Sequence, residues 1–267
     1  MLGAIIGDIA GSFYESKDNR DKDVNLFPEG ASFTDHSIMG VATAEAILKK
    51  SDYQATYRAF GKKFPAPNGG YGERFEDWLQ SKDPKPYGSW GSGSAVRSAP
   101  IGFAFDDRYE VLEEAKRSAC CTHSHPEGIK GAQAVAAAIC LARKGLDKEQ
   151  IRKWIEKHFG YDLHRKVKDI RGSYRYNESS QGTVPEALLC VLDAEDFEDA
   201  IRNAISIEGH SKTLGCIAGA FAQAYFQEIP DWMIAKSEEF IPKEFKKTID
   251  SFNKKYEISF EPVLAEE

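Results

Sequence analysis

Two polar segments, each directly before an apolar helical stretch, hold most of the side chains that could do chemistry. "TDHS" at 34–37 combines hydroxyl, carboxylate and imidazole groups, and "EGHSKT" at 208–213 repeats polar side chains spaced two apart. Thr34 and Asp35 are good helix caps, because their oxygens accept free backbone N–H groups. Capping accounts for only one of the four polar residues in "TDHS". Clustered groups of these types at a helix start are also ligands that can reach one cation.

A third segment, "GDIAGSFYE" at 7–15, ends in a carboxylate. Asp8 lies inside an apolar helical pattern, and Glu15 follows the predicted end of that helix at Gly11-Ser12. One interpretation makes Glu15 a surface carboxylate. The other makes it a base that activates water at a cleft.

Glycine and serine alternate in "SWGSGSAVRSAPIGF" at 89–103, just before a helical pattern. Exposed N–H groups and hydroxyls at such a place can hold a phosphate, and the bland alternative is a flexible loop. Arg97 and Trp90 support the phosphate interpretation, one as a nearby cation and the other as a stacking wall. The predicted phosphate-binding residues are Gly91, Ser92, Gly93 and Ser94.

The segment "THSHPEGIKGAQA" at 122–134 holds two histidines. His123 and His125 are two residues apart and would point to opposite sides of an extended chain, which is a poor arrangement for two ligands of one ion. Pro126 and Glu127 indicate a helix N-terminus. The functional alternative for His125 is a donor to a phosphate or ribose oxygen.

The rest of the sequence is dominated by helical periodicity, which predicts one compact all-α domain over 1–267. Alanine and glycine on most turns of several helices favour close helix packing. One short extended segment is predicted at 256–264. The predicted helices are 2–12, 35–50, 53–63, 71–79, 92–105, 107–120, 127–144, 147–158, 164–170, 184–193, 196–206, 211–227, 231–236 and 242–255.

Composition narrows the function class. The chain is 42% hydrophobic and 29% charged, with a net charge of −7. No basic stripe is present, so binding to a nucleic-acid backbone is not expected. Five cysteines without a CxxC pair indicate neither a zinc cluster nor a disulfide framework, and they fit a reducing cytoplasm. No signal peptide and no membrane span are expected.

Taken together, these segments resemble the ADP-ribosylglycohydrolase family. The matching segments cover about the first 230 residues in the family's order and include "GAIIGDIAGSFYE", "FTDHSIMGVATAEAIL", "SWGSGSAVRSAPIGF", "THSHPEGIKGAQA" and "EGHSKTLGCIAGAFAQAYF". The resemblance implies an all-helical domain that holds two magnesium or manganese ions at one end of its bundle. It also implies cleavage of the glycosidic bond between ADP-ribose and a side chain or small acceptor.

The sequence departs from the family at the metal ligands, which usually come from "TDDT" and "GGDSDT" motifs. Thr34, Asp35 and Thr213 match these motifs. The replacements are His36 for Asp, Ser37 for Thr, Glu208 for Gly, His210 for Asp and Lys212 for Asp. Elsewhere Glu15 matches an acidic residue that some relatives use near the scissile bond, and His125 fits its motif. Ser92 stands where the family usually has Asn.

These departures argue against the usual pair of magnesium or manganese ions, and we expect no cofactor. Magnesium requires oxygen ligands in a near-octahedral arrangement. An ammonium beside a dication costs several kcal/mol at an effective dielectric constant of about 20. In one interpretation, Lys212 replaces a cation and pairs with Asp35. In another, Asp35, His36 and His210 hold a single zinc ion. In the third the site is inert. We favour the first and the third.

The sequence therefore predicts a hydrolase for the glycosidic bond of ADP-ribose conjugates or a related nucleotide. Glu15 or Asp35 would orient or deprotonate water, and Lys212 with His36 and His210 would replace the metals electrostatically. The expected partner is an ADP-ribose-like small molecule or an ADP-ribosylated protein. The alternative is a non-catalytic protein that binds ADP-ribose or a nucleotide, or has a regulatory role.

Overall fold

The computed structural model describes residues 1–15 and 17–258, which form fifteen helices. This confirms the all-α prediction. The predicted extended segment at 256–264 lies from residue 259 onward outside the described residues, and its first two residues form a turn. The helices are α1 (Leu2–Ser12), α2 (Asp35–Lys49), α3 (Tyr53–Lys63), α4 (Glu73–Gln80), α5 (Gly93–Val96), α6 (Ala99–Ala104), α7 (Arg108–Cys120), α8 (Pro126–Arg143), α9 (Lys148–Phe159), α10 (Val167–Ile170), α11 (Ser180–Leu192), α12 (Phe197–Ile205), α13 (Ser211–Phe226), α14 (Asp231–Glu238) and α15 (Lys243–Lys255).

Two helices from opposite ends of the sequence, α1 and α13, pack more closely than side chains would allow. Glycines at positions 3, 7 and 11 of α1 follow a spacing of four, which places them on one face. A Cβ atom built on Gly7 would lie 1.8 Å from the carbonyl oxygen of Gly215 on α13, and one on Gly11 would lie 2.2 Å from that of Ser211. The C-terminal end of α1 is therefore held against the N-terminal end of α13.

Helix α8 is the second central element. Its run of small residues is buried along most of its length, from Ala132 to Ala142. It packs against α7, α5, α6, α11 and α13. Alanine-rich faces let several helices approach α8 at once, and the core side chains form one contiguous cluster.

The structure corrects two predicted helices. The predicted helix 92–105 is broken into α5 and α6, because Pro100 has no N–H to donate to the carbonyl of Val96. That carbonyl instead accepts the thiol of Cys216, at 3.6 Å. Helix α11 begins at Ser180 rather than 184 and carries Pro185 inside it. The other predicted helices match observed ones, with ends within three residues.

Within the part of the chain that the structure describes, no helix is both long enough and apolar enough to cross a bilayer.

We predict that Gly7→Ala lowers the free energy of unfolding by about 3 kcal/mol, because the added methyl group must separate α1 from α13. Urea denaturation followed by circular dichroism measures the change. Gly40→Ala is the matched control: Gly40 is also inside a helix, but a Cβ atom there would meet nothing within 4 Å. The free energy of unfolding of the Gly40→Ala variant should rise by about 0.5–1 kcal/mol. Equal stability of the two variants would contradict the prediction.

Candidate active site

The N-terminus of α2 is fixed by a buried carboxylate on α1. Asp8 is completely buried and accepts four hydrogen bonds, from the backbone N–H and the hydroxyl of both Thr34 and Ser37, at 2.5–3.1 Å. Thr34 in turn accepts the N–H of His36 at 3.2 Å, so it is the N-cap of α2. Sequence reasoning gave Asp8 no role. Its signal was the unexplained carboxylate inside an apolar helix, since a buried charge requires partners.

Asp35 is the centre of a group that we call the charged cluster, which consists of Glu15, Asp35, His36, His210, Lys212 and Thr213. One carboxylate oxygen of Asp35, Oδ1, contacts two cationic groups. Lys212 Nζ lies 3.4 Å away, and His36 Nδ1 lies 3.1 Å away without hydrogen-bond alignment. The two side-chain cations thus face one carboxylate, which lies at the start of α2, where the helix dipole also favours negative charge.

The hydroxyl of Thr213 lies between two imidazole rings. Its Oγ1 atom is 2.8 Å from His36 Nε2 and 2.7 Å from His210 Nδ1. The second nitrogen of His210, Nε2, is buried and has no hydrogen-bond partner among the described residues. The exposed ring of Tyr176 covers this histidine, with ring centroids 4.1 Å apart. Thr213 therefore connects "TDHS" to "EGHSKT" through both histidines.

Glu15 joins the charged cluster through the backbone of α13. Its Oε2 atom accepts the N–H of Lys212 at 3.0 Å, and its Oε1 atom lies 3.9 Å from His210 Nδ1. Burial raises the pKa of Glu15, although the Lys212 N–H and ammonium work against that rise. A carboxylate with a raised pKa is suited to exchanging protons with bound water.

The charges in the cluster reinforce one another. Burial alone would raise the pKa of Asp35, but His36 and Lys212 outweigh it and hold that pKa well below its usual range. Burial disfavours both cations, yet Asp35 raises the pKa of His36 and of Lys212 above their usual values. His210 behaves differently: burial, with the charges of His36 and Lys212, lowers its pKa to about 3. It is therefore neutral at physiological pH.

These residues do not fit the pair of magnesium or manganese ions that the family resemblance implies. Lys212 and His36 both contact the same oxygen of Asp35, Oδ1. Glu15 accepts a hydrogen bond from the backbone N–H of Lys212. The ammonium of Lys212 stands beside the carboxylate that would have to bind the ions. Within residues 1–15 and 17–258, no three His, Cys, Asp or Glu side chains are arranged to hold a metal ion.

A cleft of about 430 Å³ opens beside Asp35. Of the residues in the charged cluster, Asp35 is the one that lines this cleft. This volume suits a small-molecule ligand. Its lining combines carboxylates with cationic and imidazole groups. The ionisable side chains that line the cleft, tyrosines apart, are Asp35, Glu73, Arg74, Arg97, His123 and Glu178.

The predicted glycine loop forms part of the cleft wall through Gly93. Gly91 pairs with Ser179 in an isolated bridge, and the N–H of Ser92 donates to the carbonyl of Glu178 at 3.0 Å. Ser94 is fully buried and its hydroxyl donates to the carbonyl of Gly128 at 2.8 Å. The loop is therefore fastened to two neighbouring segments, and the hydroxyl of Ser94 is already used inside the protein.

His125 stands apart from the cleft. It is exposed, and its Nδ1 atom accepts the N–H of Glu127 at 3.1 Å as the N-cap of α8. The histidine that lines the cleft is His123, which is only 6% exposed. Trp90 is 47% exposed and does not line the cleft, whereas Arg97 does. The sequence analysis assigned the ligand-binding role to His125, whereas the structure places His123 at the cleft. Nothing in the local sequence distinguishes the two histidines.

Comparison with known proteins gives consistent matches. The ADP-ribosylglycohydrolase family model matches residues 1–261. The chain is 24% identical over 318 residues to ADP-ribosylhydrolase ARH3 of Homo sapiens, with 86% of each protein covered. It is also 24% identical over 271 residues to ADP-ribosylarginine hydrolase Tri1 of Pseudomonas putida (strain GB-1), with 87% of this chain and 72% of that protein covered.

The fold also matches a solved structure. A chain described as "ADP-ribosylglycohydrolase-related protein complex" superimposes with a TM-score of 0.72, covering 97% of this chain and 95% of that one. Its sequence identity is 23%, so this likeness concerns the fold.

We predict that the stability advantage of the wild type over His36→Gln shrinks as pH rises above 6.5. Asp35 raises the pKa of His36 in the folded state, so the charged ring contributes stability below pH 6.5. That contribution is lost as pH rises through the folded pKa. Urea denaturation at several pH values measures the difference.

The control for this prediction is Gly40→Ala, which changes no titratable group. Its difference from the wild type should stay constant over the same pH range. An advantage of the wild type over His36→Gln that grows above pH 6.5 would contradict the ion pair between His36 and Asp35.

Proposed function

Because this chain belongs to the ADP-ribosylglycohydrolase family, we propose that it hydrolyses the glycosidic bond of an ADP-ribose conjugate without the family's metal pair. ADP-ribose would bind in the cleft. The bond to be cleaved would lie at the cleft's end beside Asp35, where the charged cluster begins. Two relatives carry names that describe ADP-ribosyl hydrolysis, which supports the same reaction class here.

The observation that carries this proposal is that Asp35 belongs both to the cleft and to the charged cluster. It lines the cleft and also contacts Lys212 and His36. A sugar in the cleft would therefore meet a carboxylate whose negative charge is stabilised by the buried His36 and the partly buried Lys212. The pKa of Asp35 lies well below its usual range because the charges of His36 and Lys212 outweigh the effect of its burial. It stays ionised at every physiological pH and can stabilise positive charge that develops on the ribose ring.

In the proposed reaction, a water oxygen attacks the anomeric carbon of the ribose as the bond to the acceptor breaks. Glu15 orients this water and accepts its proton. The acceptor leaves with the bonding electron pair and takes a proton from solvent, to which Glu15 then returns its own. The products are ADP-ribose and the free acceptor. The raised pKa of Glu15, a result of burial, suits this general-base role. Hydrogen bonding to the Lys212 N–H fixes one oxygen of Glu15 and leaves the other for water.

Lys212 and His36 would perform the electrostatic work that the two dications perform elsewhere in the family. His36 is buried and Lys212 is partly buried, and the Lys212 ammonium can also donate to the ribose hydroxyl oxygens. A fixed ammonium in a site that excludes much of the water interacts more strongly than one at the surface. The diphosphate would bind in the cleft beside Arg74, Arg97 and His123, which provide positive charge and a hydrogen-bond donor.

One observation favours the alternative of a binding protein without turnover. Asp35 lines the cleft, whereas Glu15 and Lys212 are not among the residues lining it. A ligand could therefore fill the cleft without reaching the base. In that case ADP-ribose or an ADP-ribosylated protein would bind, and no conjugate would be cleaved.

We predict that hydrolysis of ADP-ribose conjugates is unchanged by a chelator such as EDTA. The assay uses arginine-linked, serine-linked and base-linked ADP-ribose. The comparison variant replaces His36, His210 and Lys212 together by Asp, which restores the family's carboxylates. Its melting temperature should rise with magnesium and fall again with EDTA. Wild-type activity that EDTA abolishes and magnesium restores would contradict the metal-independent proposal.

We predict that Glu15→Gln lowers kcat by about 10²–10⁴-fold without weakening ADP-ribose binding, because the amide oxygen can still accept the Lys212 N–H. Steady-state kinetics and calorimetry measure the two quantities. Glu29→Gln, which changes an exposed glutamate, is the matched control. Wild-type protein that binds ADP-ribose but cleaves none of the three conjugates would support the binding alternative.

A further inference from the structure

A buried cation without a carboxylate partner lies beneath the cleft wall. Arg97 is 1% exposed and has no salt bridge with any described residue. Its guanidinium lies 4.2 Å above the ring of Tyr57, and its Nη2 group donates to the carbonyl of Ser118 at 2.8 Å. The same Nη2 group donates to the hydroxyl of Thr122 at 2.9 Å. Burying an arginine costs free energy unless hydrogen bonds or an opposite charge compensate for its lost hydration.

The hydroxyl of Thr122 connects Arg97 to the cleft histidine. Thr122 Oγ1 lies 2.7 Å from His123 Nδ1, and Thr122 is fully buried. An arginine donates hydrogen bonds and never accepts them, so Thr122 Oγ1 must be the acceptor from Arg97. The single hydroxyl proton is then free to donate to His123 Nδ1. In this arrangement Thr122 Oγ1 and His123 Nδ1 both have a hydrogen-bond partner, whereas Arg97 Nε has none among the described residues.

The other ring nitrogen of His123 faces the glycine loop. A Cβ atom built on Gly93 would lie 3.0 Å from His123 Nε2, so a side chain at that position would collide with the ring. Nε2 has no hydrogen-bond partner among the described residues, although His123 is more than nine-tenths buried and lines the cleft. If Nδ1 accepts from Thr122, the ring proton of neutral His123 must be on Nε2.

We propose that Arg97 and Thr122 are positioning residues that hold His123 as a neutral imidazole with its proton on Nε2, directed as a donor toward the substrate's diphosphate. The inference rests on the proposed function for the identity of that anion. The tautomer itself is a property of the free protein. In this arrangement Arg97 donates to the Thr122 hydroxyl, and that hydroxyl donates to His123 Nδ1. His123 Nε2 then carries the ring proton and offers the ligand a hydrogen-bond donor rather than an acceptor.

The charges around His123 agree with a neutral ring. Burial, followed by the positive charges of Arg97 and Arg74, lowers the pKa of His123 well below its usual value. The titratable and charged groups near the ring are Arg97 directly after α5, Arg74 from α4 and Tyr87 from the loop after α4, and Glu178 lines the same cleft. A neutral donor keeps its hydrogen bond over the whole physiological pH range, whereas an imidazolium would be repelled by the two arginines.

Tyr87 offers the competing arrangement. Burial raises the pKa of Tyr87, and Thr122, as a nearby hydroxyl donor, is among the groups that work against that rise. If the Thr122 proton turned to the Tyr87 oxygen, His123 would carry its proton on Nδ1 and present a bare Nε2 to the cleft. An anion would then meet an acceptor rather than a donor. The two arrangements therefore predict opposite tautomers of the His123 ring, which NMR spectroscopy can distinguish.

The test is NMR of the protein with nitrogen-15-labelled histidine, together with calorimetry of ADP-ribose binding. In the free wild type, the His123 ring should show a protonated Nε2 and a bare Nδ1, unchanged from pH 8 to pH 5. Thr122→Val should mix the tautomers and weaken ADP-ribose binding by about tenfold, the loss typical of one charge-assisted hydrogen bond. Thr122→Ser, which keeps the hydroxyl, should restore both.

Thr56→Val is the matched control, because it removes another buried threonine hydroxyl with hydrogen bonds of its own at the start of α3. It should leave the His123 ring and the affinity unchanged. The wild-type spectrum decides the tautomer even if Thr122→Val does not fold. A wild-type ring protonated on Nδ1, a charged ring, or a Thr122→Val ring identical to the wild type would overturn the inference.

The failure of the proposed function gives a different result. If the wild-type ring is protonated on Nε2 and responds to Thr122→Val, but ADP-ribose does not bind, then the diphosphate assignment and the proposed function are both overturned while the tautomer assignment is supported. If ADP-ribose binds and is released from conjugates while the ring is protonated on Nδ1, only the further inference is overturned.

Discussion

The backbones of α1 and α13 touch at their glycines, and this contact decides where the charged cluster can form. Gly7 meets the carbonyl of Gly215, and Gly11 meets that of Ser211. Because the helices are this close, the residues after α1 reach the first turn of α13. Glu15 can then accept the backbone N–H of Lys212. A bulkier residue at any of these positions would open the gap and separate Glu15 from Lys212.

Asp8, on α1, fixes the position of α2 as well. Its four hydrogen bonds hold the first turn of that helix against α1, so Asp35 and His36 begin next to Lys212 and Thr213. Three helix ends thus converge on one small volume. There Asp35 lies beside the Lys212 ammonium and beside His36, whose pKa Asp35 raises against the effect of burial. Under the proposed function, these side chains would supply the positive charge that metal ions supply elsewhere in the family.

The cleft adds a second arrangement with the same logic. The buried Arg97 has no carboxylate partner among the described residues, and the Thr122 hydroxyl connects it to His123. In both places a cation acts on a group that lines the cleft: the partly buried Lys212 on Asp35, and the buried Arg97 on His123. Burial makes these interactions strong, because little water is present to screen them. The cleft and the charged cluster meet at Asp35, which belongs to both.

Local rules were enough to predict much of this protein from its sequence. Apolar periodicity predicts the helices, Thr34 and Asp35 mark the start of α2, and the replaced carboxylates indicate that Lys212 should face Asp35, from which it lies 3.4 Å away. These features depend on neighbouring residues or on recognisable motifs.

Tertiary structure alone decided the features that join distant segments. Thr213 lies 177 residues from His36 yet bonds to it, and Asp8 caps a helix 26 residues away. His123 rather than His125 lines the cleft because α8 begins at Pro126 and leaves His125 outside as its cap. Hydrogen-bond partners of buried groups are set by which helices touch, and that depends on packing across the whole chain rather than on spacing along it.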